Sequence, residues 1–293
     1  GQAQGLVGQA MSMMAFAEPE LLAMDSATLQ TWVTEEDDLK LYQQYVDNLL
    51  RTQKHILSAE VEEVLGMVSD PLGRIEGIRS ALTNRDMVFE PAKNSAGEDV
   101  TIVQSTRDQL LADADREVRK TTWNNYADGF LKYNNTLATT YLASVKRNVV
   151  IAKLRGYDSV LHAKLSPNNI PIEVFHNLID TYKKHIPTWH RYWDVRRRAL
   201  GYDTIHPYDL WAPLTANDPK LSFKDAVEMI ATGMKPLGDD YVSVLHKGCM
   251  EERWVDYAIN QGKSEGAFSY GTYDSRPFIM MSFDGTMGAM STL

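Results

Sequence analysis

Cysteine is almost missing from this sequence. Cys249 is the single cysteine among 293 residues, so an internal disulfide framework is excluded. Proteins that keep unpaired thiols typically work in a reducing compartment, and we therefore expect a cytoplasmic protein. We interpret Cys249 as a buried or half-buried thiol rather than a nucleophile, because free cysteine mostly behaves as a small apolar side chain.

Long apolar stretches and an excess of basic residues are also missing. No apolar run reaches about 18 residues, so we expect no membrane span. Residues 1–16 lack the basic start of a signal peptide, and the chain begins at Gly1 instead of methionine. We therefore expect no secretion signal and expect that this end is not the natural one. The formal net charge of −9 argues against nucleic acid as a partner.

The catalytic motifs of common hydrolases are missing as well. A zinc-peptidase helix needs two histidines one turn apart, so that both face the metal, and a glutamate between them as general base. None of the seven histidines is followed by glutamate or by a second histidine four residues later. The sequence also lacks a Gly-x-Ser-x-Gly elbow and a phosphate-binding loop. We therefore predict no catalytic residue and no metal ligand in this chain.

Helical periodicity dominates what is present. Hydrophobic residues make up 44% and charged residues 24%, which is ordinary for a globular protein with a sizeable core. Apolar residues recur at three- and four-residue steps, for example from Val118 to Val145. These patterns predict a mainly α fold with a few short strands. We divide it into residues 1–110, a helical region with a small β-hairpin, and residues 111–293, a second helical region.

Several element boundaries can be predicted from local sequence. Pro71 and Pro187 are each expected to end a helix, since proline lacks the N–H that a helix interior needs. Residues 87–90 and 99–103 are β-like and indicate a hairpin. Residues 105–154 carry the longest helical signal, for which we expect a break near Thr121-Thr122 or Gly129.

Two charged clusters have alternative interpretations. The acidic run from Glu35 to Asp38 could bind a metal, but acidic residues at a helix start are more simply explained by the helix dipole. Arginines interleaved with Trp189, Tyr192 and Trp193 could bind nucleic acid. On an acidic chain, a solvated helix face is the simpler interpretation.

The most informative stretch is the last part of the sequence. Residues 266–271 alternate small and aromatic side chains between two glycines, and residues 277–283 form an apolar run long enough for a buried strand. Asp274 and Ser275 supply a turn between them, and Thr286 is suited to cap a following helix. The pattern is compatible with an ordinary core hairpin. Glycine in a strand also marks places where another backbone approaches closely, as when a strand binds an extended peptide.

This stretch resembles the segment that precedes the zinc helix in oligoendopeptidase F, a member of the thimet-oligopeptidase-like metallopeptidases. The resemblance covers roughly residues 19–293. It is strongest in four segments: Asp115–Lys120, Arg155–Tyr157, Tyr208–Leu214 and Gly262–Met281. In that family the terminal segment leads into a His-Glu-x-x-His motif, and this chain stops at Leu293, about where the motif would begin.

The resemblance implies a multi-helix peptidase fold in which a few short strands line a deep substrate channel. The parent enzyme would hydrolyse internal bonds of short, unstructured peptides. It would use a zinc ion held by a C-terminal catalytic part, whereas this chain alone would bind no zinc and be inactive. The residues that this chain would offer to the substrate are Gly266, Ala267, Phe268, Ser269, Tyr270, Gly271, Tyr208 and Tyr273.

A second hypothesis also fits the sequence. The chain could be a non-catalytic helical module that binds peptides or acts as a scaffold, holding peptides by strand addition without cutting them. A His-Glu-x-x-His motif in the reading frame shortly after Leu293 would favour the first hypothesis, and a stop codon there would favour the second.

Overall fold

The computed structural model describes residues 5–6, 9–10, 13–14, 16–215, 219–260, 262–263 and 266–293. Ser264, part of the segment that carries the family resemblance, lies outside the described residues. So do most residues of the N-terminal stretch that we compared with a signal peptide.

Helices make up most of the described chain. The α-helices are α1 (Ala17–Ala23), α2 (Ser26–Glu35), α3 (Gln43–Thr52), α4 (Ala59–Ala81), α5 (Arg107–Leu111), α6 (Arg116–Lys132), α7 (Asn134–Leu154), α8 (Val160–Leu165), α9 (Ile172–Ala199), α10 (Phe223–Gly233), α11 (Asp239–Met250) and α12 (Met287–Thr292). The strands are β1 (Ala92–Lys93), β2 (Asp99–Val100), β3 (Val255–Asp256), β4 (Ala267–Tyr270) and β5 (Phe278–Met281). The prediction of a mainly α fold is confirmed, and the deep channel remains a prediction.

One compact unit contains Gly1–Arg79 together with Asn135–Ile186. Its core forms where α2 and α3 pack through the buried side chains of Leu29, Val33 and Val46. Arg155, just after α7, donates to both carboxylate oxygens of Glu62 on α4, at 2.7 and 2.8 Å. This bidentate ion pair joins segments that are far apart in sequence.

The second compact unit contains Ser80–Asn134 together with Pro187–Leu293. Its core is built from Met87, Phe89, Ala92 and Ile102, against which aromatic residues of α6 pack. Gly129 on α6 permits this packing, because a Cβ atom there would lie 2.5 Å from Cδ1 of Phe89. A larger residue would force the ring away from the helix.

The two units are interleaved along the chain, which passes from one to the other after residues 79, 134 and 186. The predicted boundary lies between residues 110 and 111. A compact unit made of two separate segments is not the same as a domain that folds independently. The predicted domain boundary therefore remains a prediction.

The second unit also holds a three-stranded sheet with the strand order β3-β5-β4. β3 runs parallel to β5, and β4 runs antiparallel to it. The predicted terminal hairpin is confirmed as β4 and β5, but the sequence patterns did not indicate that Val255 and Asp256 would form a third strand. After β5, Thr286 caps α12 as predicted, its hydroxyl accepting from the N–H of Ala289 at 3.1 Å.

The helix ends predicted at the two prolines are wrong. Pro71 lies inside α4 and Pro187 inside α9, and both helices continue. The carbonyls left without an N–H partner belong to Met67 and Lys183, four residues earlier, and both residues are exposed, so water can satisfy them. Next to Pro71, the guanidinium of Arg147 donates to the carbonyl of Leu72 at 2.9 Å, a further contact to α4.

Two further boundaries differ from the prediction. The first hairpin pairs Ala92–Lys93 with Asp99–Val100, so its first strand falls where we expected loop, and residues 87–90 are not a strand. Met87 and Phe89 are apolar because they fill the core of the second unit. The long helical segment breaks at residues 112–115, between α5 and α6, and at Tyr133, between α6 and α7, and not near Thr121 or Gly129.

Among the described residues, no helix combines the length and apolar character needed to cross a membrane.

Candidate functional site

Strand β4 forms one edge of the three-stranded sheet, and all four of its residues are exposed. Its register with β5 pairs Ala267 with Met281 and Ser269 with Ile279. Because cross-strand partners share a face, Ala267 and Ser269 lie on one face of the sheet, and Phe268 and Tyr270 lie on the other.

The backbone of β4 offers hydrogen-bonding groups along its outer side. The N–H of Ile279 donates to the carbonyl of Trp254 at 2.8 Å, which places the polar backbone groups of Ile279 on the β3 side of β5. In a strand these groups alternate between the two sides, so Phe278 and Met280 bond to β4. Their partners, Tyr270 and Phe268, therefore point inward. The N–H and C=O groups of Ala267 and Ser269 point outward, which is the arrangement that adds a further strand.

The two glycines that bracket β4 have different physical roles. Gly266 has a φ of +91°, which L-residues with a side chain rarely adopt, so its conformation and not a close approach explains the glycine. At Gly271 a Cβ atom would make an ordinary contact, 3.6 Å from Cα of Pro277. Within the part of the chain that the structure describes, neither glycine marks close approach of another segment.

A cavity of about 750 Å³ adjoins the start of β4 within the second unit. Gly266 and Ala267 contribute to its wall from β4, and Met281 contributes from β5. Trp211 lies on another part of the wall, and its side chain is strongly exposed, at 71%. The remaining lining residues come from α5 with its flanks and from the segment around α12: Gln104, Ser105, Arg107, Asp108, Gln109, Ala112, Ser282, Asp284, Thr286, Met287, Gly288, Ala289 and Thr292.

Three of the described lining residues carry charge. Arg107 donates to Asp108 at 2.8 Å, and its guanidinium also lies 5.2 Å from the ring centre of Tyr126. Asp284 uses its Oδ1 atom to accept from the N–H and the hydroxyl of Thr286, at 2.9 and 2.7 Å. The Arg107–Asp108 pair is neutral overall, so Asp284 gives the described part of the cavity wall a net negative charge.

Trp211 is held in position by a buried ion cluster. Asp209 has no exposed surface, and both of its oxygens accept from Arg116, at 3.0 and 2.8 Å. Arg119, also fully buried, donates to Asp209 at 3.1 Å. Burial alone would raise the pKa of Asp209, but hydrogen bonds from Arg116, the His206 backbone and Arg119 outweigh it and lower that pKa.

The same cluster fixes the backbone on both sides of Trp211. Asp209 accepts from the N–H of His206 at 3.0 Å, and its own carbonyl accepts from the N–H of Ala212. The carbonyl of Ala212 in turn accepts from the buried guanidinium of Arg196. The loop that carries Trp211 is therefore fixed by its own buried Asp209 together with arginines from helices that are distant in sequence.

The two tyrosines predicted as channel residues lie away from the cavity beside β4. Tyr208 stacks on His206 with ring centres 4.9 Å apart, and Tyr273 is 96% exposed in the turn between β4 and β5. Both belong to the described part of the chain, and neither lines the cavity beside β4. The structure thus brings Gly266 and Ala267 to the cavity but does not bring Tyr208 or Tyr273 to it.

The described histidines, cysteine and carboxylates do not form a metal centre. Over the residues that the structure describes, no group of three or more of these side chains could hold a metal ion. A zinc ion therefore does not fit this set of residues. Cys249 is half-buried, and burial raises the pKa of its thiol, which favours the protonated form and fits the interpretation of an inert thiol.

Sequence reasoning missed the cavity residues. Trp211, Asp284 and the Arg107–Asp108 pair come from separate segments, and although Trp211 lies in the segment Tyr208–Leu214 that carries the family resemblance, nothing there indicates a cavity. Only folding places them together, so no local signal could have identified them.

Comparison with known proteins gives a consistent result. The family model described as "Peptidase family M3" matches residues 109–293, and that described as "Oligopeptidase F" matches residues 20–89. Oligopeptidase PepF of Bacillus subtilis is 35% identical over 293 residues, covering 100% of this chain and 44% of that protein. Group B oligopeptidase PepB of Streptococcus agalactiae is 31% identical over 292 residues, covering 100% of this chain and 48% of that protein.

A solved structure shows the same fold. The crystal structure of oligoendopeptidase-F from Enterococcus faecium superposes with a TM-score of 0.69 at 29% identity, covering 84% of this chain and 47% of that chain. This chain thus spans about half the length of the relatives it matches. Because one family model covers more than half of the residues, the chain belongs to peptidase family M3.

Proposed function

We propose that this chain is part of a zinc metalloendopeptidase that hydrolyses internal bonds of short, unstructured peptides. The chain supplies a strand that binds the peptide and one wall of the channel that encloses it. Membership of the peptidase family supports this proposal. The observation that carries it is the exposed outer edge of β4, which directs the backbone groups of Ala267 and Ser269 away from the sheet.

A peptide bound along this edge would be recognised mainly through its backbone. The N–H and C=O groups of Ala267 and Ser269 are common to all sequences, so they fix an extended conformation without selecting side chains. Phe268 and Tyr270, exposed on the opposite face, add apolar contact surface. Restricted access to the channel, and not a single pocket, would then select short peptides. Tyr208 and Tyr273 are proposed as further contacts in that channel.

The chemical step is assigned to another part of the protein. A zinc ion in this family supplies Lewis-acid activation of water. We propose that the zinc ligands and the catalytic glutamate lie on a C-terminal catalytic part of the same protein, which is then the partner of this chain. The role of the described residues is to bind the peptide and hold it extended.

The proposed compartment is the cytoplasm, supported by the single unpaired cysteine. Neither nucleic acid nor a membrane is a proposed partner. The net charge of −9 disfavours contact with phosphate groups.

Strand addition can be tested with N-methylated peptides. Every second residue of the bound peptide donates its N–H to β4, so a methyl group on that nitrogen removes a hydrogen bond and clashes with the edge. We expect N-methylation to weaken binding about 10-fold at alternate positions and to have little effect at the positions between them. Fluorescence anisotropy of labelled peptides, with the full-length natural protein and a metal chelator that keeps the peptides intact, measures this.

An equal loss at consecutive positions would contradict strand addition. The variant Ser269→Pro, which removes one outward N–H, is expected to weaken binding, and Ser269→Ala, which keeps it, is the matched control.

The division of labour can be tested by metal content and turnover. We expect the 293-residue chain to carry no stoichiometric zinc and not to cleave a quenched fluorescent peptide. The full-length protein should carry zinc and cleave the peptide. Its activity should be lost on chelation and restored by zinc. Zinc-dependent turnover by the chain alone would contradict the proposal. If the full-length protein bound peptides without cleaving them, the alternative of a non-catalytic peptide-binding module would be correct.

A further inference from the structure

We propose that the cavity beside β4 receives a positively charged side chain of the bound peptide. This inference rests on the proposed peptide binding at the β4 edge and adds a preference that backbone recognition alone would not give. It concerns the cavity lined by Trp211, Ala267 and Asp284.

The geometry of strand addition selects one peptide side chain. In a peptide added beside β4, the residue opposite Ala267 shares the face of Ala267, since cross-strand partners lie on the same side. Met281, paired with Ala267 on that face, is buried and lines the cavity together with it. The side chain opposite Ala267 therefore points toward the cavity, and the next side chain along the peptide points to the Phe268 face.

The charges on the wall determine what the cavity favours. Arg107 is already bound to Asp108, so it offers little to an incoming anion. Asp284 directs one oxygen to Thr286, and its other oxygen has no partner among the described residues. The start of α12 lies close to it and contributes roughly half a positive charge at most, and less for so short a helix. Over the lining residues that the structure describes, the balance of charge remains negative.

Trp211 also favours a positively charged side chain in the cavity. Its indole is exposed at the cavity, and the face of an indole attracts a cation. The buried cluster around Asp209 fixes the loop that carries this side chain. A lysine or arginine side chain can place its apolar stem along Met281 and its charge near Asp284 and Trp211.

Peptides that differ at one position test this preference. In a series of equal length, each position is occupied in turn by lysine, norleucine or glutamate, and binding is measured by fluorescence anisotropy with the full-length protein and chelator. At one position we expect lysine to bind about 5-fold more tightly than norleucine, and glutamate to bind more weakly than both. Neighbouring positions should show little difference.

The variant Asp284→Asn should reduce the lysine preference to less than about 2-fold and leave the affinity for norleucine unchanged. Asparagine keeps the oxygen that accepts from Thr286, so the start of α12 is retained, and circular dichroism can check this. Asp274→Asn removes the same charge from the turn between β4 and β5 and should keep the preference. Asp274 has a φ of 57°, which asparagine tolerates well.

The outcomes separate this inference from the proposed function. If alternate N-methylation weakens binding but no position prefers lysine, or if Asp284→Asn keeps the preference, the cavity does not select a cation and peptide binding at β4 stands. If no peptide binds, both proposals are wrong.

Discussion

At the scale of single residues, Asp209 has the largest consequence for the candidate site. One carboxylate without exposed surface is shared by two guanidinium groups, Arg116 and Arg119. Such a cluster compensates its desolvation cost only while every member is present. It is also the reason that Trp211 reaches the cavity, because the adjoining backbone bonds to the same carboxylate and to Arg196.

Replacing Asp209 should therefore destabilise the protein strongly. Asp209→Asn leaves both arginines without their counter-charge, and Arg119 has no route to solvent, so we expect the free energy of unfolding to fall by about 3 kcal/mol. Urea denaturation followed by circular dichroism measures this change. The control is Asp203→Asn, an exposed aspartate on the same loop, which should change stability by less than about 0.5 kcal/mol. Equal effects of the two substitutions would show that the cluster does not hold the loop.

At the scale of elements, α4 and α7 are joined by an ion pair whose strength depends on pH. Arg147 donates to both carboxylate oxygens of Glu76, at 2.8 and 2.6 Å. The hydrogen bonds from Arg147, helped by the backbone N–H of Glu76 itself, lower the pKa of that carboxyl from 4.5 to about 2. A lowered carboxyl pKa means that the folded state binds its proton less readily than the unfolded state.

The stabilising effect of Glu76 therefore depends on pH. The contribution of Glu76 to stability is fully present above about pH 4.5 and is lost as the pH falls toward about 2. We expect Glu76→Gln to lower the urea midpoint at pH 7 and to differ much less from the wild type at pH 2, where the folded wild type has begun to protonate Glu76. Because the Glu76 side chain is 56% exposed, salt should weaken the difference at pH 7.

Glu63→Gln, an exposed change on the same helix, is the control and should change the midpoint little at either pH. A loss with Glu76→Gln that is equally large at pH 2 and pH 7 would mean that packing, and not charge, joins the two helices.

Element positions were predictable where the signal is local. The Thr286 cap, the turn at Asp274 and the apolar run of β5 follow from short-range chemistry, and the structure has all three. The continuation of the helices through Pro71 and Pro187 was not predictable, because the solvent access that satisfies the freed carbonyls is not visible in the local sequence. Residues 87–90 look like a strand but serve as core, a choice that depends on Gly129 of α6.

At the scale of the whole molecule, the family resemblance indicated an activity, whereas the periodicity indicated only the fold class. Composition and repeat steps predicted a mainly α protein without naming any activity. The terminal segment led to peptidase family M3, which the family model confirms over residues 109–293. Strand β4 could be predicted, since one continuous segment encodes it, but its place at the edge depends on β3, which the sequence patterns did not indicate. The cavity could not, because Arg107, Trp211 and Asp284 meet only after distant segments have packed.

The interleaving of the two compact units constrains how the chain is made. Residues 80–134, which belong to the second unit, leave the ribosome before residues 135–186 of the first. When synthesis reaches residue 186 and the first unit is complete, residues 80–134 of the second unit are already present. The second unit is complete only when the whole chain has been made. A single proteolytic cut cannot release either unit intact, and a gene fragment that ends near residue 134 encodes parts of both and the whole of neither.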